Sequence, residues 1–182
     1  MTANGIGTGA AGGDWLHSEE IPDDAAVTQI YGQSCVSACG EMLLASHGFL
    51  ATEGAQEGLV AKLGGANETD RVDFNDLVPA LTDETGANAS GAFFGGRLKI
   101  PEEQRASAID YFCGIGPWAA ELKSSRTFHA VIVDGADGSG NLRIRDPFKG
   151  TSYTMAKEEF LRHWWNNGAI FWRAKDVGGQ NR

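Results

Sequence analysis

The stretch Tyr31-Gly32-Gln33-Ser34-Cys35-Val36-Ser37-Ala38-Cys39-Gly40 places two of the chain's three cysteines four residues apart among small and polar residues. Such a pair can be a disulfide, a metal site, packing, or a nucleophile and its neighbour. A disulfide would have to form across one helical turn, with Cβ vectors poorly directed for it. A zinc site from Cys35, Cys39 and a histidine lacks the usual paired ligand spacing. A nucleophilic cysteine needs thiolate character, which the free N–H groups and dipole of a helix N-terminus supply. Ser34 reads as the N-cap of a helix running from Cys35 to about His47 and ended by Gly48. Cys35 then stands at the helix start. Cys39 stands one turn inside, on a stripe with Val36, Met42 and Leu43, where burial keeps a thiol protonated and inert.

Acyl transfer by a thiolate also needs a donor for the oxyanion, and a side-chain amide just upstream can serve. Gln29 lies six residues before Cys35, and Gln33 lies six residues before Cys39. The spacing alone supports either pair. The helix start favours Cys35, and therefore Gln29, over the Gln33–Cys39 alternative.

The second stretch is "FHAVIVDGADGSGNLRIRDPFKG". Two alternating segments flank a glycine-rich turn, which predicts a β-hairpin. Pairing Asp134 with Asn141 brings His129 opposite Asp146, and a slip by one residue would spoil the alignment. Cross-strand neighbours lie about 4.5–5.5 Å apart at Cβ, so an imidazole and a carboxylate can meet. There Asp146 would orient His129 and stabilise its charged form. Taken alone, the same two residues also read as an ion pair at the end of a sheet. His47 falls in a helix's last turn, where a cation is favourable anyway. His163 is beside two tryptophans and reads as packing, and His17 lies in an acidic segment. "DGADGSGN" lacks the closing glutamate of a calcium loop and reads as the hairpin turn.

The elements that must position these residues form an α+β order, helices first and an antiparallel sheet second. In the first half, Thr52 can cap a helix over "EGAQEGLVAKL", stopped by Gly64-Gly65. A third helix covers "DFNDLVPALTDE", with Pro79 expected to kink or shorten it. Ile100-Pro101-Glu102-Glu103 starts a further helix to about Phe112. Strand-like runs follow in "GPWAAEL", "FHAVIVDG", "NLRIRDP", "TSYTM" and "AIFW", interrupted by a helix over "KEEFLRHWW".

With 182 residues, 42% of them hydrophobic, the chain suits one domain with a real core. Residues 1–13 are Gly/Ala-rich and read as a disordered arm, leaving residues 14–182 as the domain. Residues 1–90 carry 14 acidic and 2 basic side chains, and residues 91–182 carry 10 acidic and 13 basic, for a net charge of −9. An acidic half argues against nucleic acid as the main partner. No run is long enough to span a membrane as a helix, so no membrane partner is expected. The N-terminus lacks the basic and apolar regions of a secretory signal. Three cysteines make a poor disulfide framework. The expected location is the cytoplasm, or outside it after export by a dedicated system without a cleaved signal.

"QIYGQSCVSACGEMLL" followed by "FHAVIVDG" and "LRIRDPFKG" resembles the papain-like cysteine peptidases, in particular bacterial double-glycine leader peptidases and papain-like effector and toxin domains. The likeness rests on a glutamine six residues before a cysteine at a helix start, a histidine opening a strand, and Asp-Pro ending the next strand. "GPWAAEL" and "TMAKEEFLRHW" extend it, so that it covers roughly residues 25 to 172. It implies a papain-like fold, with the nucleophile helix packed on a C-terminal antiparallel sheet. It implies catalytic Cys35, His129 and Asp146, oxyanion donor Gln29, and no metal or organic cofactor. A protein or peptide substrate follows, with a cognate immunity or inhibitor protein as a further partner. Leader peptidases usually carry Asp-Cys-Gly at the nucleophile and are fused to a transporter. Here the residues are Ser34-Cys35-Val36, with neither membrane spans nor a P-loop, which favours a free-standing peptidase. The rival readings are another Cys-His-Asp acyl transferase, such as a transglutaminase or amide-transfer enzyme, and a catalytically silent binding module of the same fold.

Overall fold

The computed structural model describes residues 7–8, 12–49, 54–70, 72–86 and 89–175. Helices α1 (Cys35–Ser46), α2 (Ala55–Leu63) and α3 (Leu77–Thr85) come first, and α4 (Arg105–Ile115) and α5 (Lys157–His163) later. The strands are β1 (Gly7–Thr8), β2 (Leu16–His17), β3 (Ile21–Pro22), β4 (Gly91–Arg97), β5 (Trp118–Lys123), β6 (Phe128–Ala136), β7 (Leu142–Asp146), β8 (Thr151–Met155) and β9 (Trp164–Ala174). Seven of them form one antiparallel sheet in the order β3-β8-β7-β6-β5-β9-β4, and β1 pairs with β2. This is the expected α+β architecture.

Side-chain alternation along β6 shows how the sheet carries two cores. Ala130 and Ile132 face α1–α3, in a cluster with Cys39, Met42, Leu43, Leu59, Phe74 and Leu77. Val131 and Val133 face the other way, onto Trp15, Ile109, Phe112, Trp118 and Phe160. The sheet is therefore buried on both faces, and the catalytic candidates sit where β6 and β7 reach its rim.

Several boundaries differ from expectation for local reasons. Pro79 does not break the third helix: a 3-10 turn over Phe74–Asp76 leads in, so Pro79 falls in the first turn of α3, where a missing N–H has least to lose. Thr52, the expected cap of α2, lies outside the described residues, and Gly54 with φ of 89° occupies the N-cap position. The helix expected through Trp165 ends at His163, and the chain turns directly into β9. Strand β4 carries no alternating apolar pattern. Its Gly95 and Gly96 adopt φ of 120° and 127°, and a Cβ on Gly95 would collide with the Ala169 carbonyl of β9. Of the arm expected to be disordered, residues 1–6 and 9–11 lie outside the described residues. Gly7–Thr8 pairs with Leu16–His17, and Gly12 and Gly13 are packed against His129 and Trp15.

Candidate active site

Helix α1 begins at Cys35 without a side-chain cap. Ser34 occupies the N-cap position, as expected, but its hydroxyl is turned away. It accepts from the Tyr31 N–H (3.0 Å) and lies 3.1 Å from the Tyr31 carbonyl and 3.2 Å from Gln56 Oε1. Gln56, buried in α2, also accepts from Ile30 N–H and donates to the Thr28 carbonyl. These bonds brace the loop before the helix from below. They leave the first-turn N–H groups of α1 without a side-chain competitor, as an anion site at a helix start requires.

His129 is buried at the start of β6, and Asp146 is fully buried at the end of β7. His129 Nε2 lies 2.6 Å from Asp146 Oδ1. That bond leaves Nδ1 as the ring nitrogen available to Cys35, whose ionisation His129 influences directly. The residues meet through a different register from the one expected. Ile132 pairs with Arg145 and Val133 with Ile144, and a bulge follows before Ala136 pairs with Leu142. One more step puts Val131, not His129, opposite Asp146. The offset is two residues, which preserves the face, so His129 and Asp146 meet as diagonal neighbours.

Each group's ionisation follows from this chain of contacts. Burial alone would raise the Cys35 thiol. The hydrogen bond and charge of His129, with the Ala130 N–H, outweigh it and hold Cys35 below its ordinary value. Burial alone would lower His129, but the Asp146 carboxylate and the bond to Cys35 raise it to about 10. Burial would raise Asp146. The imidazolium, the Phe148 N–H (2.9 Å) and the Tyr153 hydroxyl (2.8 Å) bring it down to about 2. Near neutral pH His129 is therefore an imidazolium and Asp146 a carboxylate, and their contacts bias Cys35 toward the thiolate. Cys39 is fully buried, and burial, then the Cys35 charge, drives its thiol well above the ordinary value. All three cysteines are free thiols.

Gln29 sits in the loop before α1, tied by its N–H to the Pro147 carbonyl (2.7 Å), one residue past Asp146. Its amide nitrogen donates to the carbonyls of Tyr31 (2.9 Å) and Gly32 (3.0 Å), and its Oε1 is buried without a partner. The amide therefore grips the turn leading to Cys35. Gln33 is exposed and lines the cleft that opens at Cys35 and His129, along with Glu68, Asp70 and Arg126.

The remaining histidines do not join this group. His47 caps the end of α1 and stacks on Trp172. His163 lies against Trp15 and Glu159. His17 is buried on Tyr153. Among the described residues, no three His, Cys, Asp or Glu side chains converge as a metal site would require. In the hairpin turn, Asp137 accepts from the N–H groups of Ser139 and Asn141, which is ordinary turn chemistry. Sequence reading missed Gly12, Trp15 and Tyr153, which surround the His129–Asp146 pair. Alternation along "TSYTM" was a usable signal, because it points Tyr153 to the same face as Thr151, the partner of Asp146.

No family model matches the chain. It is similar to Cysteine protease effector 1 of Escherichia coli O1:K1:H7, with 29% identity over 167 residues that make up 90% of this chain. The same residues span 30% of that protein, so the chain matches under a third of the relative's length. Its fold is similar to the crystal structure of the peptidase domain of Streptococcus ComA, a bi-functional ABC transporter of a quorum-sensing pathway. The TM-score is 0.56 with 18% identity, over 82% of this chain and 97% of that one. Among the described residues no helix is long and apolar enough to cross a membrane. Sequence likeness to a protein named as a cysteine protease and structural likeness to a peptidase domain thus fall on one chain, whose α+β fold is that of the peptidase domain it resembles.

Proposed function

We propose that this chain hydrolyses a peptide bond in a protein substrate through a Cys35–His129–Asp146 triad, as a bacterial effector or toxin domain or a processing protease. The observation that carries the reading is the buried His129–Asp146 bond of 2.6 Å beside Cys35 at the start of α1, with Cys35 and His129 lining one cleft, the thiol lowered and the imidazole raised to about 10. The Cys35 thiolate attacks the substrate carbonyl carbon. The carbonyl oxygen becomes an oxyanion facing the Cys35 backbone N–H at the uncapped start of α1. Gln29 supplies a second donor by releasing one of the two carbonyls that it grips in the resting enzyme. The imidazolium gives its Nδ1 proton to the leaving amine, and the C–N bond breaks to leave a thioester. His129 then takes a proton from water as it attacks the thioester. The tetrahedral intermediate expels the Cys35 thiolate, and the acid product leaves. Asp146 keeps the ring oriented throughout.

The relative's name carries the word effector, and the acidic N-terminal half of this chain offers a basic protein a complementary surface. A cognate immunity or inhibitor protein that covers the cleft follows from the toxin reading. The test is mass spectrometry of new protein termini in cells producing the wild-type chain or Cys35→Ala. Fragments confined to the wild type support hydrolysis. Crosslinked products in their place would move the assignment to an acyl transferase, and an unchanged proteome would remove the catalytic reading.

A further inference from the structure

The segment before the papain-like core does not hang free of the site. The Gly12 N–H donates to Asp146 Oδ2 (3.2 Å), the carboxylate oxygen that His129 does not use. A Cβ on Gly12 would come within 2.6 Å of Cδ2, Nε2 and Cε1 of the His129 ring, a contact no side chain can make. Trp15, fully buried, stacks on the same ring at 6.1 Å with an interplanar angle of 21°. Its Nε1 donates to the Tyr153 hydroxyl (2.9 Å), which in turn donates to Asp146 Oδ2 (2.8 Å). The segment is held at three further points. The Asp14 carboxylate accepts from Ser125 on the cleft rim, the Leu16 N–H donates to Glu159 Oε1 (2.9 Å), and the Ser18 N–H donates to the Thr154 carbonyl (2.9 Å).

We propose that residues 12–18 form a strap that completes the catalytic centre, with Gly12, Trp15 and Tyr153 as positioning residues that fix Asp146 and His129 for Cys35. The physical logic is directional. Asp146 Oδ1 is aimed at His129 only while Oδ2 is held from behind, and the two donors on Oδ2 come from the strap and from the tyrosine that the strap's tryptophan holds. Glycine at position 12 is required because the backbone lies directly on the imidazole face. The inference rests on the triad reading, but the readout is the reactivity of the thiol and not the cleavage of any protein, so either can fail alone.

The experiment measures the rate of Cys35 alkylation by iodoacetamide from pH 4 to pH 10, in the full chain and in Gly12→Ala, Tyr153→Phe and the control Gly138→Ala. A Cβ at Gly138 meets nothing within 4 Å. Tyr153→Phe keeps the ring that packs with His17 and removes the hydroxyl, which frees Asp146 Oδ2 and leaves the Trp15 Nε1 without its acceptor, so its melting temperature is measured alongside. With the strap displaced or Oδ2 released, the acid limb of the profile moves up toward an ordinary thiol by about one pH unit, roughly tenfold slower labelling on that limb. Gly138→Ala follows the wild type. Wild-type profiles for both Gly12→Ala and Tyr153→Phe, or acid limbs that move down, would overturn the positioning role.

Discussion

Replacing Asp146 by asparagine removes one charge and almost no volume, and its cost can be worked from the contacts. Oδ1 accepts from His129 Nε2 and from the Phe148 N–H, while Oδ2 accepts from the Gly12 N–H and the Tyr153 hydroxyl. Two donors on Oδ1 force the asparagine oxygen into that position and its NH2 into the other. The Tyr153 hydroxyl can rotate to accept from that NH2, but the Gly12 N–H is left facing a donor. One unsatisfied buried donor costs about 1–3 kcal/mol, so the variant folds with a lowered Tm. The electronic effect is larger. Asp146 is the first of the groups that raise His129 from 6.5 to about 10, ahead of Cys35. With the carboxylate neutralised, burial pushes the imidazole down against the Cys35 thiolate alone. A hundredfold fall in the population of the thiolate–imidazolium pair corresponds to about 2.7 kcal/mol.

Iodoacetamide labelling of Cys35 should therefore be on the order of a hundredfold slower in Asp146→Asn than in the wild type at pH 7. It should recover toward the wild-type rate only in alkali, where the buried thiol ionises without the imidazolium. A variant that labels within about threefold of wild type at pH 7, with the same profile, would refute the ion-pair account and leave Asp146 as a structural residue.

Cys35→Ala should abolish turnover, whereas Cys39→Ala should keep it and lose about 1 kcal/mol of stability by chemical denaturation. Asp134→Ala should leave the labelling rate of the folded protein intact but lower its stability by about 1–3 kcal/mol, because Asp134 grips the buried Arg145 guanidinium at two points 2.7 Å apart from it. Gln29→Ala should reduce turnover roughly 10–1000-fold at unchanged iodoacetamide labelling, since alkylation forms no oxyanion; parallel losses in both, with a lower Tm, would make Gln29 a brace for the Tyr31–Gly32 turn. The His129–Asp146 pair also sets a stability profile, counted once for the two partners. Because His129 is raised from 6.5 to about 10, its contribution is complete below pH 6.5 and is lost as pH rises toward 10. Because Asp146 is lowered from 3.8 to about 2, its contribution is present above pH 3.8 and is lost as pH falls through 2. Denaturation of Cys35→Ala should show a plateau between pH 3.8 and 6.5 whose alkaline decline is complete below pH 10, because Cys35 is one of the groups that raise His129, and Asp146→Asn should shrink that decline.

What the sequence made legible was carried by side-chain type and period. The stripe Val36, Cys39, Met42, Leu43 is buried as its spacing requires, and this alone separates an inert Cys39 from Cys35. The hairpin was readable from alternation and its glycine-rich turn. Its register was not, because the bulge between Val133 and Ala136 leaves no mark on a pattern of apolar residues. The two-residue error was harmless to the His129–Asp146 pairing only because the period of a strand is two. It did mislead about Asp134. This residue is the bidentate partner of Arg145, whose guanidinium also reaches the Ala25 carbonyl and the Ser46 hydroxyl near the end of α1.

Strand β4 drew no expectation, and residues 12 and 13 were expected to be disordered, for a shared reason. Glycine contributes no side chain to a hydrophobic pattern, so a glycine-rich stretch reads as unstructured by composition. In β4, Gly95 is there because the β9 backbone leaves no room for a Cβ, and at position 12 the His129 ring leaves none. The contact that matters at Gly12 is a backbone N–H on Asp146, which every residue type except proline could donate and which no sequence motif encodes. Trp15 was the one side chain nearby that could have flagged the docking. A tryptophan just after a glycine run buries a large apolar surface or stays as an exposed liability, and its burial next to the His129 imidazole carries the glycines preceding it there too. The boundary of the functional unit therefore lies at least as far upstream as Gly12. A truncation placed at Asp14 on compositional grounds would remove a donor to Asp146 while keeping Cys35, His129 and Asp146 themselves.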